Sequence, residues 1–115
     1  MDVKIKRIYE DAVTSDGIRI LVDRIWPRGI SKEFANLDDW RKDLAPSTEL
    51  RKWFDHEESR FAEFSKRYKK ELGKHIELID ELVKKTKGKR LTLVYSAKDE
   101  AHNQAVVLKE FLDEY

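Results

Sequence analysis

Two short apolar runs, "IRILVDRI" at residues 18–25 and "LTLVY" at 91–95, are separated by a stretch that carries two amphipathic helices. This spacing constrains the fold more than any other feature of the chain. Antiparallel strands close through a tight turn, whereas a long helical excursion is how parallel strands are joined, because the chain must return across a sheet face. The β-branched residues in 18–25 suit a strand covered on both faces, as in a parallel sheet. "VKIKRIY" near the start alternates and predicts a further strand near an edge, and "TSDG" at 14–17 marks the turn before the second strand.

The helical excursion is also legible. Phe61, Phe64, Tyr68 and Leu72 recur at helical spacing and predict a helix over 59–72 that Gly73 ends. Ile76, Ile79, Leu82 and Val83 mark another, with Gly88 as its expected C-cap. Pro46 stops whatever precedes it, and Ser47 or Thr48 can cap a short helix through Trp53 and Phe54. Ala101, Ala105, Leu108 and Leu112 form the stripe of a last helix, which Ser96 or Asp99 would cap. Ser31, Glu33 and Phe34 could open a turn of helix, while residues 31–45 read equally as extended or helical. The expected fold is α/β: one small layered domain over residues 1–115, with a mainly parallel sheet of three to four strands flanked by helices.

Composition excludes several functions. Lys plus Arg number 24 and Asp plus Glu 23, so no global field attracts nucleic acid or anionic lipid. Nucleic acid is an unfavoured partner, apart from a selective local contact. With no cysteine, the chain has no disulfide, thiolate nucleophile or cysteine-based metal site. No apolar run approaches the roughly 20 residues that span a bilayer, and the start lacks a secretory apolar segment. A cytoplasmic protein without membrane contact is expected. His56, His75 and His102 are scattered, so no metal site is expected; no Walker loop or dinucleotide glycine pattern specifies a cofactor. "DHEE" at 55–58 reads as a solvated turn, and "KKTKGKR" at 84–90 as a solvated helix end.

Parallel sheets place ligands beyond the carboxyl ends of their strands. Here those ends read "DRIWPRG" at 23–29 and "SAKDEAHN" at 96–103. Parallel neighbours would bring both onto one rim. Arg24 and Arg28 could grip an anion in bidentate fashion, joined by amides near residues 97–101 at a helix start. His102, oriented by Asp99, has the reference pKa of ~6.5 that suits proton exchange. Trp26 packs or lines a ligand site, and Pro27 and Gly29 shape the turn. Asp23 with the arginines reads equally as a structural ion pair. Ser96 has no acid–base partner beside it in sequence, so capping is its simpler role.

These motifs carry a family resemblance. "LVDRIWPRGISKE", "LAPSTELRKWFDH", the Phe61–Phe64–Tyr68 series and "LTLVYSAKDEAHNQAVVLKEFL" resemble the YeaO-like branch of the DUF488 family along nearly the whole chain. The resemblance implies a small α/β protein of bacteria or archaea. It also implies a candidate cluster of Asp23, Arg24, Trp26, Arg28, Ser96, Asp99, His102 and Asn103, with Pro46 and Ser47 on the rim. In the broader family the later segment often carries cysteines and a cysteine–histidine–arginine cluster; this chain keeps His102 and has no cysteine, so thiol chemistry does not carry over.

Two functions follow as expectations. The first is an anion- or nucleotide-binding domain in which hydrolase or transferase chemistry could operate. His102 and Asp99 would be catalytic; Asp23, Arg24, Trp26, Arg28, Ser96 and Asn103 would bind the ligand. The alternative is a noncatalytic module that contacts protein or nucleic acid.

Overall fold

The computed structural model describes residues 1–115 and is an α/β domain with a four-stranded, all-parallel sheet. The strands are β1 (Asp2–Arg7), β2 (Ile18–Leu21), β3 (Asp39–Trp40) and β4 (Arg90–Tyr95), in the order β1-β4-β2-β3. The helices are α1 (Lys32–Ala35), α2 (Thr48–Phe54), α3 (Phe61–Gly73), α4 (Ile76–Thr86) and α5 (Gln104–Glu114). No helix is long and apolar enough to cross a membrane.

Register explains how the sheet's two faces differ. Val3 sits beside Leu91, and Ile20 beside Leu93. Their side chains share one face and pack with Phe64, Tyr68, Ile79 and Leu108 from the helices, forming the main core. Alternation turns Lys4, Thr92 and Arg19 to the other face, where Lys4 and Arg19 both register on Thr92. No long helix covers that side. Its carboxyl-end half is apolar, with Ile8, Leu21, Ala35 and Val94 beneath Trp26 and Trp40. Its amino-end half is ionic: the buried Asp16 carboxylate meets Lys4 at 2.8 Å, Lys6 at 3.1 Å and Arg19 at 2.7 Å. Coverage on both faces is thus as expected for a parallel sheet, but one cover is a loop carrying charge.

Several boundaries differ from the sequence reading. The strand expected over 18–25 ends at Leu21, and the Val22 amide donates one last bond to the Val94 carbonyl at 3.0 Å. The final helix starts at Gln104, and its N-cap is Asn103, not Ser96 or Asp99. The Asn103 Oδ1 accepts from the Val106 amide at 3.1 Å; such caps contribute about 1 kcal/mol. Ala101 therefore lies outside the helix and is exposed. Helix α4 stops at Thr86 with Lys87 as cap, and Gly88 follows at φ 77. In the undecided region, Ser31 caps α1 and Asp39–Trp40 pair with β2 as a fourth strand. Ser47 caps α2 as expected, its hydroxyl also bonding the Glu71 carboxylate at 2.6 Å.

Candidate functional site

The carboxyl ends of β2 and β4 are adjacent, and both chains leave the sheet there. Trp40 fixes the first exit by donating its indole N–H to the Asp23 carbonyl at 2.7 Å. Arg7 fixes the second, donating to the carbonyls of Ala97 at 2.9 Å and Ser96 at 3.3 Å. Between the exits, the start of α5 and the end of α2 lies a pocket of about 350 Å³. Asp23, Arg24, Trp26, Arg28, Ser96, His102 and Asn103 all line it, as does Pro46. Asp99 and Ser47 do not.

Asp23 is the buried acid of this pocket, 7% exposed. Its carboxylate accepts from the Ser96 hydroxyl on one oxygen and from the Gln104 amide on the other. Burial pushes the carboxyl up from its ordinary range, opposed by the bonds from Ser96 and Gln104 and by the field of His56. No arginine pairs with it. Arg24 instead donates to the carbonyls of Pro46 at 2.9 Å and Ala45 at 3.4 Å, tying the β2 exit to the entry of α2. The ion-pair reading of Asp23 and the arginines is thereby corrected: the guanidinium nearest in sequence is anchored on backbone oxygens. Ser96 does have an acid beside it, supplied from 73 residues away in sequence.

The expected amide cradle near 97–101 does not form as a helix start. The Asp99 carboxylate accepts from the amides of Ala101 at 2.9 Å and His102 at 3.1 Å, which closes a tight turn ahead of the cap. The Ala101 amide, then the His102 ring, hold this exposed carboxyl below its usual range. Asp99 Oδ2 also lies 2.9 Å from His102 Nδ1, so the orienting pair read from the sequence is present. The other ring nitrogen faces Glu58 at 3.6 Å, and Phe61 meets the ring edge-on at 5.1 Å. Glu58, Asp99 and His102 could each offer one ligand atom within 4.8 Å of the others. The two carboxylates, however, address opposite nitrogens of a single imidazole, a poor match to the convergent donors of a metal centre.

Trp26 is largely a packing residue. Its N–H donates to the Ile30 carbonyl at 2.7 Å and its ring stands edge-on to Trp40 at 5.2 Å, leaving one side on the pocket. Asn103 is engaged in its cap and donates its amide to the Asp99 carbonyl at 2.9 Å. Arg28 is exposed at the rim with no side-chain partner in the chain; its carbonyl accepts from the Tyr9 hydroxyl at 3.0 Å.

Sequence reasoning missed one whole wall. Arg51 and Phe54 reach the pocket from α2, His56 from the turn that follows it, and Phe64 from α3. Phe54 and Phe64 stack at 4.3 Å. His56 arrives through two successive residues in the left-handed region, Asp55 at φ 48 and His56 at φ 55. Non-glycine residues there are uncommon and mark special sites, but "DHEE" carries no glycine that would have signalled the turn.

The chain matches, over residues 2–115, the family described as "Inactive DUF488-N3 subclade". It is similar to the uncharacterized protein YeaO of Escherichia coli strain K12, with 47% identity over 112 residues covering 97% of each chain. It is also similar to the uncharacterized protein Rv3073c of Mycobacterium tuberculosis strain H37Rv, with 44% identity over 111 residues, 96% of this chain and 93% of the relative. No solved structure matches. Matched by the family model over residues 2–115 and similar to these relatives along nearly its whole length, this protein belongs to the DUF488 family, in the subclade described as inactive DUF488-N3.

Proposed function

We propose that this chain is a binding protein for a small anion or nucleotide, held in the pocket where β2 and β4 end. The observation that carries this reading is the pocket's cationic rim. Arg28 and Arg51 are exposed there with no side-chain partner in the chain, while the pocket's one acid is buried and hydrogen-bonded. Unpaired guanidiniums beside an apolar wall suit a phosphate or carboxylate on an aromatic or apolar body. A volume of about 350 Å³ accommodates a small metabolite. The family's description as inactive supports binding without turnover.

Titration with inorganic phosphate, para-ethylphenyl phosphate and nucleoside monophosphates, followed by amide chemical shifts, tests this. Shifts should centre on residues 23–28, 51–56 and 96–104. Arg28→Ala and Arg51→Ala should each weaken binding about tenfold, the loss of a charge-assisted contact, with the remaining spectrum intact. Shifts confined to other surfaces, or wild-type affinity in both variants, would remove the proposal.

A second reading, hydrolase or transferase, is favoured by the contact between Ser96 and Asp23. A hydroxyl hydrogen-bonded to a base that a third group orients is the arrangement of an activated nucleophile; here Gln104 is the third group. With para-nitrophenyl phosphate, Ser96 Oγ would form the new bond to phosphorus as nitrophenolate leaves, its proton passing to Asp23. Under this reading intact-mass analysis finds a phosphoryl adduct on wild type and none on Ser96→Ala. Unmodified wild-type protein, with no nitrophenolate released, would leave binding alone.

A further inference from the structure

The pocket has two chemically different poles. Arg28 and Arg51 make the exposed rim positive, and the buried Asp23 carboxyl stands at the inner end. The donors that the chain supplies to Asp23, the Ser96 hydroxyl and backbone amide and the Gln104 amide, are all neutral. The nearest arginine in sequence, Arg24, is held on the carbonyls of Pro46 and Ala45. Asp23 thus forms no ion pair, although three arginines line the same pocket. A site for a simple anion has no use for such a group, since an inner carboxylate repels the ligand. Burial without a cationic partner disfavours the charged carboxylate, so a ligand cation or donor that compensates it gains affinity. Between the poles, the stacked Phe54 and Phe64 provide an apolar wall.

We infer that the pocket takes a dipolar ligand: a phosphate or carboxylate at Arg28 and Arg51, an aromatic or apolar middle against Phe54 and Phe64, and a protonated amine or N–H donor at Asp23. The inference rests on the anion-binding reading above and narrows its ligand class.

A matched trio of probes tests it: tyramine phosphate, para-ethylphenyl phosphate, which lacks only the amine, and tyramine, which lacks only the phosphate. Amide-shift titrations of the full chain at neutral pH give the three affinities. Tyramine phosphate should bind about tenfold more tightly than para-ethylphenyl phosphate, and tyramine should be the weakest. In Asp23→Asn the advantage of the amine should vanish while para-ethylphenyl phosphate binds at least as well as before. Equal affinity of the two phosphates for wild type would overturn the dipolar ligand and leave anion binding standing. No binding of either phosphate, or tyramine binding as tightly as its phosphate, would overturn anion binding and the inference with it. The comparison on wild type decides the matter even if Asp23→Asn does not fold.

Discussion

Asp16→Asn is expected to lower the unfolding free energy by about 3–5 kcal/mol, the range for removing one partner from a buried charge cluster. The carboxylate is fully buried on the sheet face that no long helix covers, and it meets Lys4, Lys6 and Arg19 together. It also accepts from the Val13 amide at 3.0 Å, and its backbone carbonyl accepts from the Thr92 hydroxyl at 2.6 Å. Asparagine would keep the size but leave three cations facing a neutral group, with Arg19 still 3% exposed. Lys4 is about a third exposed and would be partly rescued by water. Urea unfolding at neutral pH measures the loss; a change below about 1 kcal/mol would show that the cluster contributes no more than a surface pair.

The same residue sets an acid limb of stability. Burial opposes ionisation of Asp16, but the bonds from Lys4, the Val13 amide, Lys6 and Arg19 outweigh it and hold the carboxyl far below its usual range. A carboxyl whose folded pKa is depressed binds a proton sooner in the unfolded chain. Its contribution is therefore complete above the unfolded value of about 3.9 and declines as pH falls toward the folded one. Wild type should lose stability steeply across that acid window, and Asp16→Asn should show a shallower slope there. Parallel slopes in the two proteins would contradict the linkage.

Gly17→Ala should be the next most damaging change. Gly17 turns the chain from the Asp16 loop into β2 at φ 67, ψ −129, a conformation open to glycine alone among ordinary residues. The dihedral penalty is about 1–3 kcal/mol. A Cβ at this position would lie 2.4 Å from the Arg90 carbonyl oxygen, and that oxygen belongs to the backbone of an inner strand. Neither side can yield without disturbing the β2–β4 pairing, so the loss should exceed the dihedral term. Thermal unfolding of Gly17→Ala checks this, and an unchanged midpoint would mean that the turn relaxes freely. Gly29 and Gly88 also have positive φ but have open space where a Cβ would stand, so alanine there should cost less.

Periodicity and punctuation made much of the fold legible. The Phe61–Leu72 spacing led to α3, which starts at Phe61 and takes in Gly73 before its Lys74 cap, and Ser47 marks the start of α2 as read. The misread boundaries share a cause. Asn103 won the cap of α5 because its side chain faces the Val106 amide and buries against the Asp99 carbonyl, whereas Asp99 closes its own turn earlier. Several cap-competent residues in a row cannot be ranked by local preference alone. Strand β2 ends where its pairing with β4 stops, at Leu21 beside Val94, although apolar and β-branched residues continue beyond it.

Sequence by itself determined the parallel α/β character, through short β-branched runs joined by amphipathic helices, and it determined the chemical character of the two strand ends. Charge, aromatic content and the lack of cysteine are local properties, readable wherever the chain goes. Tertiary structure decided the pairings. It gave Asp23 to Ser96 and Gln104, sent Arg24 to the carbonyls before α2, brought Arg51 across from that helix and His56 from the turn after it, and gathered Lys4, Lys6 and Arg19 on Asp16. Each of these depends on strand register and helix docking, which are set by packing between segments far apart in sequence. A hydrogen bond spanning 81 residues, such as Gln104 to Asp23, leaves no trace in either segment alone.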